Sequence, residues 1–220
     1  MADSTALMRC PSAQHSARPQ HGAKLVYLIR HAESRENVRV RAAGAVLSRL
    51  AALSLPRGQD LCAASRLLLC DLDAPLSDAG VEQVRRARER LGGADFLRRE
   101  GIELVVHSSR QRTARTCREL FGQGPGPPVV ESEDLVELKP LEYLVDWSYR
   151  RRLGRFLSWL AERPEERVAV VGHGQYFHRM LRREGPEPRN LEVRLCHFDA
   201  GARTFGSPHQ TLYLPGAAAG

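Results

Sequence analysis

Short apolar runs indicate where strands lie along this chain. Leu25–Ile29, Ile102–Val106 and Val168–Val171 are continuous, β-favouring runs, which are typical of strands buried on both faces of a sheet. Two later stretches, Leu191–Phe198 and Thr211–Leu214, are weaker strand candidates, and we expect the second at an edge. The pattern therefore predicts a sheet with a buried centre.

The stretches between these runs carry apolar residues at helical spacing. Ser77 is a typical N-cap residue, and Gly92 would end the helix that it starts. Other predicted helices span Arg110–Leu120, Ser148–Ala161 and Gln175–Arg183. Strands that alternate with helices predict an α/β fold: a three-layer α/β/α sandwich with a mainly parallel central sheet, in which one edge strand can be antiparallel.

The length of 220 residues fits one domain with short tails. We expect a flexible N-terminal tail over residues 1–23, a domain over residues 24–214 and a flexible C-terminal tail over residues 215–220. An extra segment rich in alanine, leucine and arginine, Arg39–Leu69, is expected to form a helix or a helical pair that roofs a site.

Composition makes several classes of protein improbable. No apolar run reaches the roughly 18–20 residues of a membrane helix, and the polar N-terminus lacks the apolar segment of a secretory signal. The cysteines are odd in number and form no C-x-x-C pair, so we expect neither a disulfide framework nor a zinc site. We therefore expect a cytoplasmic protein with no membrane partner, and targeting to an organelle by the N-terminal tail stays open.

The basic charge points to an anionic partner without identifying it. The formal net charge is +7, from 33 basic and 26 acidic residues, and only Lys24 and Lys139 are not arginines among the basic ones. This balance suits nucleic acid or a phosphorylated small molecule. Arginines on solvated helix faces would produce the same excess.

Polar side chains follow each of the three buried strands. Arg30 and His31 come after the first, Ser108 and then Arg112 after the second, and His173 after the third, between two glycines. Because parallel strands end at one edge of a sheet, these side chains should converge there. One guanidinium group can donate two parallel hydrogen bonds to phosphate oxygens, and an imidazole can act as a nucleophile. The sequence therefore predicts a site for a phosphoryl group.

Four motifs in order resemble those of the histidine phosphatase superfamily, which has the phosphoglycerate-mutase-like fold. They are Leu28–Ser34 followed by Asn37, Asp73–Ser77 followed by Gly80, Ser108–Thr116 with Arg112, and Val170–Gly174. The resemblance extends from about Lys24 to Leu214. Ala32 stands where the family most often has glycine, and Ser109 where proline is usual.

The resemblance implies a role for each matching residue. His31 would be the nucleophile that becomes phosphorylated, and His173 would help to bind the phosphoryl group with Arg30 and Arg112. Asn37 would either bind phosphate or cap a helix.

The resemblance also implies an acid that protonates the leaving oxygen, and Glu137 is the best match. The Trp-Glu-Gly that often follows this acid in the family is absent here, so Glu142 and Glu33 remain rivals. No cofactor and no metal are expected.

The function implied is hydrolysis of phosphomonoesters through a phosphohistidine. Only 36 positions separate Glu137 from His173, which leaves little chain for a cap and favours water as the acceptor. A mutase of the phosphoglycerate type and a non-catalytic protein that binds phosphorylated ligands are the alternatives. We expect a phosphorylated small molecule as substrate, with a phosphoprotein as a second option, and no specific nucleic-acid partner.

Overall fold

A computed structural model describes residues 22–52, 73–122, 124–137 and 147–216. Both predicted tails fall almost wholly outside these ranges, as does the part of the predicted roof segment after residue 52. The division into tails and domain therefore stays a prediction. Within the described ranges, none of the helices combines the length and apolar character needed to cross a membrane.

The described residues form one central sheet of seven strands. The strands are β1 Ala23–Arg30, β2 Leu104–Ser108, β3 Val129–Ser132, β4 Arg167–Gly172, β5 Val193–Asp199, β6 Thr204–Phe205 and β7 Gln210–Tyr213. Their order is β3-β2-β4-β1-β5-β6, and β7 pairs with β5. The four strands from β3 to β1 are parallel, whereas β5, β6 and β7 pair antiparallel. The predicted α/β class is confirmed, with a larger antiparallel side than one strand.

Within the described ranges, six helices and one short 3-10 helix accompany the sheet. They are α1 Arg35–Ala51, α2 Asp78–Leu91, α3 Ala94–Arg99, α4 Gln111–Phe121, the 3-10 helix Glu133–Leu135, α5 Trp147–Glu162 and α6 Gly174–Met180. The Ser77 hydroxyl accepts from the Gly80 backbone N–H at 3.0 Å, and Gly92 ends α2 in the left-handed conformation, both as predicted. The α6 prediction was too long, because Arg182 and Arg183 have positive φ angles beyond Met180.

The helices cover both faces of the sheet. Tyr27 and Ile29 of β1 belong to one apolar cluster, which includes side chains from α2, α3 and α4. Val26 and Leu28 belong to the other cluster, to which α5 and α6 contribute. This alternation follows from the two-residue period of a strand, and it produces the predicted three layers.

The register of the parallel strands brings their carboxyl ends level. Arg30 lies opposite Gly172, and His107 lies opposite Val171. The residues directly after β1, β2 and β4 therefore share one edge of the sheet.

Candidate active site

His31 is the buried residue directly after β1. Its side chain is in contact with the backbone of its neighbour: Nδ1 lies 2.6 Å from the carbonyl oxygen of Ala32. A carbonyl can only accept, so Nδ1 donates and Nε2 carries the lone pair. The backbone of His31 is held as well, because its N–H donates to Gly172 and its carbonyl accepts from Asn190 Nδ2 at 2.9 Å.

The surroundings keep the His31 ring neutral. Its side chain is almost completely buried, and burial is the largest cause that lowers its pKa well below the usual 6.5. The positive charges of Arg112 and Arg30 lower this pKa further. A neutral imidazole with a fixed tautomer has its Nε2 lone pair available for attack.

His173 follows β4 and faces His31. The ring centroids are 5.1 Å apart, which is within the distance that allows both rings to contact one tetrahedral anion. Nε2 lies 3.0 Å from Ser108 Oγ, and Nδ1 is buried with no hydrogen-bond partner among the described residues. Burial lowers the pKa of His173 well below its usual value, and the nearby His31 and Arg112 act in the same direction.

Arg112 lies in the first turn of α4, with a side chain that is only 3% exposed. Its Nη1 lies 2.6 Å from Glu36 Oε2, a carboxylate from the first turn of α1. Burial lowers the pKa of Arg112, while the negative charge of Glu36 raises it. Sequence reasoning placed Arg112 at this edge and did not find its carboxylate partner.

Arg30 is also paired with a carboxylate. Its Nη1 donates to Glu187 Oε1 at 2.8 Å and to the carbonyl of Pro188 at 2.6 Å. Its Nε is buried and has no hydrogen-bond partner within the described part of the chain. The pair lies against Gly174, where an added Cβ would be 2.7 Å from Arg30 Cζ and closer still to Glu187 Oε1.

Asn37 makes a helix cap. Its Oδ1 accepts from both the backbone N–H and the hydroxyl of Ser34 at 3.0 Å, and its own backbone N–H donates to Ser34 Oγ at 3.3 Å. These reciprocal bonds resemble a capping box at the start of α1. A contact of Asn37 with phosphate stays a prediction.

The three acid candidates differ in their surroundings. Glu137 Oε2 lies 3.8 Å from His173 Nδ1, and its side chain is 22% exposed. The Glu33 carboxylate instead accepts from Ser77 Oγ at 2.8 Å and pairs with Arg41. Glu142 lies outside the described residues. Glu137 is thus the described candidate that approaches an imidazole of the site.

Several residues of the site were not predicted from sequence. Glu36 and Glu187 pair with the two arginines, Asn190 holds the His31 carbonyl, and Thr116 Oγ1 accepts from the Ala32 backbone N–H at 3.1 Å. Glu36, between Ser34 and Asn37, and Thr116, at the end of the third motif, lie within the motifs, whereas Glu187 and Asn190 lie outside them. No group of three or more His, Cys, Asp or Glu side chains in the described ranges is arranged to hold a metal ion.

Fold and site together define an α/β protein with two imidazoles and two guanidinium groups at the carboxyl edge of its sheet. A model of the histidine phosphatase superfamily (branch 1) matches residues 57–143. This match and the fold confirm the predicted resemblance to that superfamily and its phosphoglycerate-mutase-like architecture.

Solved structures of low sequence identity share the fold. A phosphoglycerate mutase from Bacillus anthracis aligns with a TM-score of 0.55 at 15% identity, covering 85% of this chain and 92% of its own. Mycobacterial hydrolase 1 aligns with a TM-score of 0.51 at 17% identity, covering 89% of this chain and 100% of its own. A phosphoserine phosphatase from Entamoeba histolytica, in complex with 3-phosphoglyceric acid, aligns with a TM-score of 0.50 at 14% identity, covering 86% of this chain and 95% of its own. No curated protein matches the sequence.

Proposed function

We propose that this chain is a phosphatase that hydrolyses phosphomonoesters through a phosphohistidine on His31, without a metal ion. The observation that carries the proposal is the state of His31. Its ring is buried, its pKa is lowered, and Nδ1 donates to the Ala32 carbonyl, so Nε2 is available as a neutral nucleophile. The ring centroid of His31 lies 5.1 Å from that of a second imidazole, His173.

The charge of the substrate would be met by the phosphate cradle, the set of His31, His173, Arg30 and Arg112. A phosphoryl group carries about −1.5 to −2 charges at neutral pH. His173 Nδ1 and Arg30 Nε are buried without a partner in the described structure, an arrangement that costs free energy. A bound phosphoryl oxygen would supply the missing acceptor, which supports an anion as the ligand.

The reaction has two steps. In the first, His31 Nε2 forms a bond to phosphorus, the bond from phosphorus to the ester oxygen breaks, and Glu137 gives its proton to that oxygen. In the second, Glu137 takes a proton from water, the water oxygen bonds to phosphorus, and the bond to Nε2 breaks. The products are an alcohol and inorganic phosphate, and His31 is neutral again.

Water rather than a second substrate hydroxyl is the acceptor in this proposal. Of the 36 positions from Glu137 to His173, α5 takes Trp147–Glu162 and β4 takes Arg167–Gly172. At most the nine residues 138–146 are left beside Glu137 for a cap. A short cap leaves the phosphohistidine accessible to water, which favours hydrolysis over the mutase alternative.

The test is turnover of p-nitrophenyl phosphate in excess EDTA. We expect turnover by the unmodified chain, loss of at least about 10³-fold in His31→Ala, and little change in the exposed control His197→Ala. Acid-labile label from a radioactive substrate should appear on the unmodified chain and be absent from His31→Ala. Turnover that persists in His31→Ala would refute the proposal, and phosphoryl transfer between monophosphoglycerates would favour the mutase.

A further inference from the structure

The phosphate cradle has unusually little net charge for a site that binds a dianion. Each guanidinium is paired with a carboxylate, Arg112 with Glu36 and Arg30 with Glu187. Both imidazoles are neutral because burial and the nearby positive charges lower their pKa values. The two positive charges are therefore offset by two negative charges before a ligand enters.

The two carboxylates are held differently. Glu187 contacts Gln175 as well as Arg30, and Arg30 is further bound to the Pro188 carbonyl, so this pair is part of a larger hydrogen-bonded group. Glu36 extends from the exposed side of α1 toward Arg112, with 24% of its side chain exposed against 3% for the arginine. The Glu36 carboxylate is therefore the more exposed member of its pair with Arg112.

The position of Glu36 follows from the start of α1. The reciprocal bonds between Ser34 and Asn37 fix the first turn of this helix, and Glu36 lies between these two residues in the chain. Its carboxylate is thus held at Nη1 of the arginine whose role, in the proposed function, is to bind the phosphoryl group. Two anions that share one guanidinium repel each other, and the repulsion is stronger where water is excluded.

We propose that the Glu36 carboxylate competes with the phosphoryl group for Arg112 and so lowers the affinity of the cradle for phosphate. The inference rests on the proposed function of the cradle and deepens it. A phosphoryl dianion has to displace the Glu36 carboxylate from Nη1 or bind beside it, and either change weakens its binding.

The experiment measures binding of inorganic phosphate to the full chain by isothermal titration calorimetry. In Glu36→Gln, which keeps the shape of the side chain and removes its charge, we expect phosphate to bind about tenfold more tightly. Glu82→Gln is the matched control, because it removes an equal charge from an exposed pair with Arg85 and Arg86. Phosphate affinity should stay unchanged in that control.

Kinetics with p-nitrophenyl phosphate separate competition from a merely structural role. We expect the inhibition constant for inorganic phosphate and KM for the ester to fall by a similar factor in Glu36→Gln, because both ligands place a phosphoryl group at Arg112. A structural role for Glu36 predicts the opposite, since misplacing Arg112 would weaken phosphate binding. Glu36→Ala provides a second variant, and thermal melts of both show that the chain is folded.

The outcomes distinguish the two proposals. Tighter phosphate binding in Glu36→Gln without any turnover by the unmodified chain would support the competition and refute the phosphatase. Turnover that depends on His31, with unchanged or weaker phosphate binding in Glu36→Gln, would overturn the competition and leave the phosphatase standing. Absence of phosphate binding to both the unmodified chain and Glu36→Gln would also overturn it.

Discussion

The site has two sides that are built differently. His31, His173 and Arg112 follow buried parallel strands, and each is at most 2% exposed. Glu137 instead follows β3, the strand at the end of the sheet, and the 3-10 helix after it, and its side chain is 22% exposed. The part that we propose to bind an anion is thus fixed by the core. The part that would handle the proton belongs to the edge.

The two sides of the site should therefore differ in how well they tolerate substitution. A change in the cradle removes a buried polar or charged group and leaves its buried partners without a hydrogen bond. A change on the acid side alters a partly solvated group at the periphery. We therefore expect substitutions to impair phosphate binding more readily than they alter which leaving groups the site accepts.

Among these variants, Arg112→Ala should cause the largest loss of activity. Loss of a buried guanidinium that binds the phosphoryl group should lower kcat/KM for p-nitrophenyl phosphate about 10²- to 10³-fold. Arg115→Ala is the control on the same helix, because Arg115 is 38% exposed and pairs with Glu119. Equal activity of the two variants would show that the cradle does not bind substrate.

Glu137→Gln tests the proposed acid on the other side of the site. An alkyl phosphate needs a proton on its leaving oxygen, so its turnover should fall about 10²-fold. The nitrophenolate leaving group is stable without a proton, and its release should change much less. The kcat/KM values of both substrates measure the difference, because kcat/KM reports the first chemical step, in which the leaving group departs, and excludes the later attack of water. Glu33→Gln is the rival variant, and the same leaving-group dependence there would move the acid role from Glu137 to Glu33.

The cost of burying two imidazoles gives a pH dependence of stability. Folding lowers the pKa of both His31 and His173 below the 6.5 of an unfolded chain, so below that pH the unfolded state binds more protons. The free energy of unfolding should be steady above pH 6.5 and decrease as the pH falls below it. Urea unfolding between pH 7.5 and 5.0 measures this change.

The contribution of the two buried histidines to this decrease in the free energy of unfolding can be isolated. The double variant His31→Asn with His173→Asn should flatten the decrease, whereas His197→Asn, which alters an exposed side chain, should leave it intact. A slope that is the same in all three proteins would mean that the buried imidazoles are not its source.

Ser77→Ala has the smallest expected effect. It removes the N-cap of α2 and a hydrogen bond to Glu33, the second residue after His31. We expect a loss of about 1 kcal/mol in the free energy of unfolding, with little change in activity. Ser77→Thr keeps the hydroxyl and should retain most of the stability. A comparable loss in Ser77→Thr would assign the effect to packing.

The strands of the core were predictable because each contains a continuous apolar run. The site residues after β1, β2 and β4 converge because these strands are neighbours. β3 was not predicted. It is a four-residue edge strand whose register, Val105 opposite Val129, depends on pairing with β2 rather than on its own pattern.

The contacts around the cradle were less predictable than the cradle itself. Glu36 and Arg112 come together only when α1 and α4 are both in place, and Asn190 reaches His31 from a loop distant in sequence. Local patterns carry no information about such pairs. The position of Glu142 and most of the predicted roof lie outside the described residues, so those predictions stay open.

The lack of space at Gly174 links three positions of the chain. Any larger residue there would push against both members of the Arg30 and Glu187 pair. Substitution at one of these positions therefore changes what the other two can be. A larger residue at Gly174 would require the ends of these two flexible side chains to move, so the glycine allows the ion pair its present position.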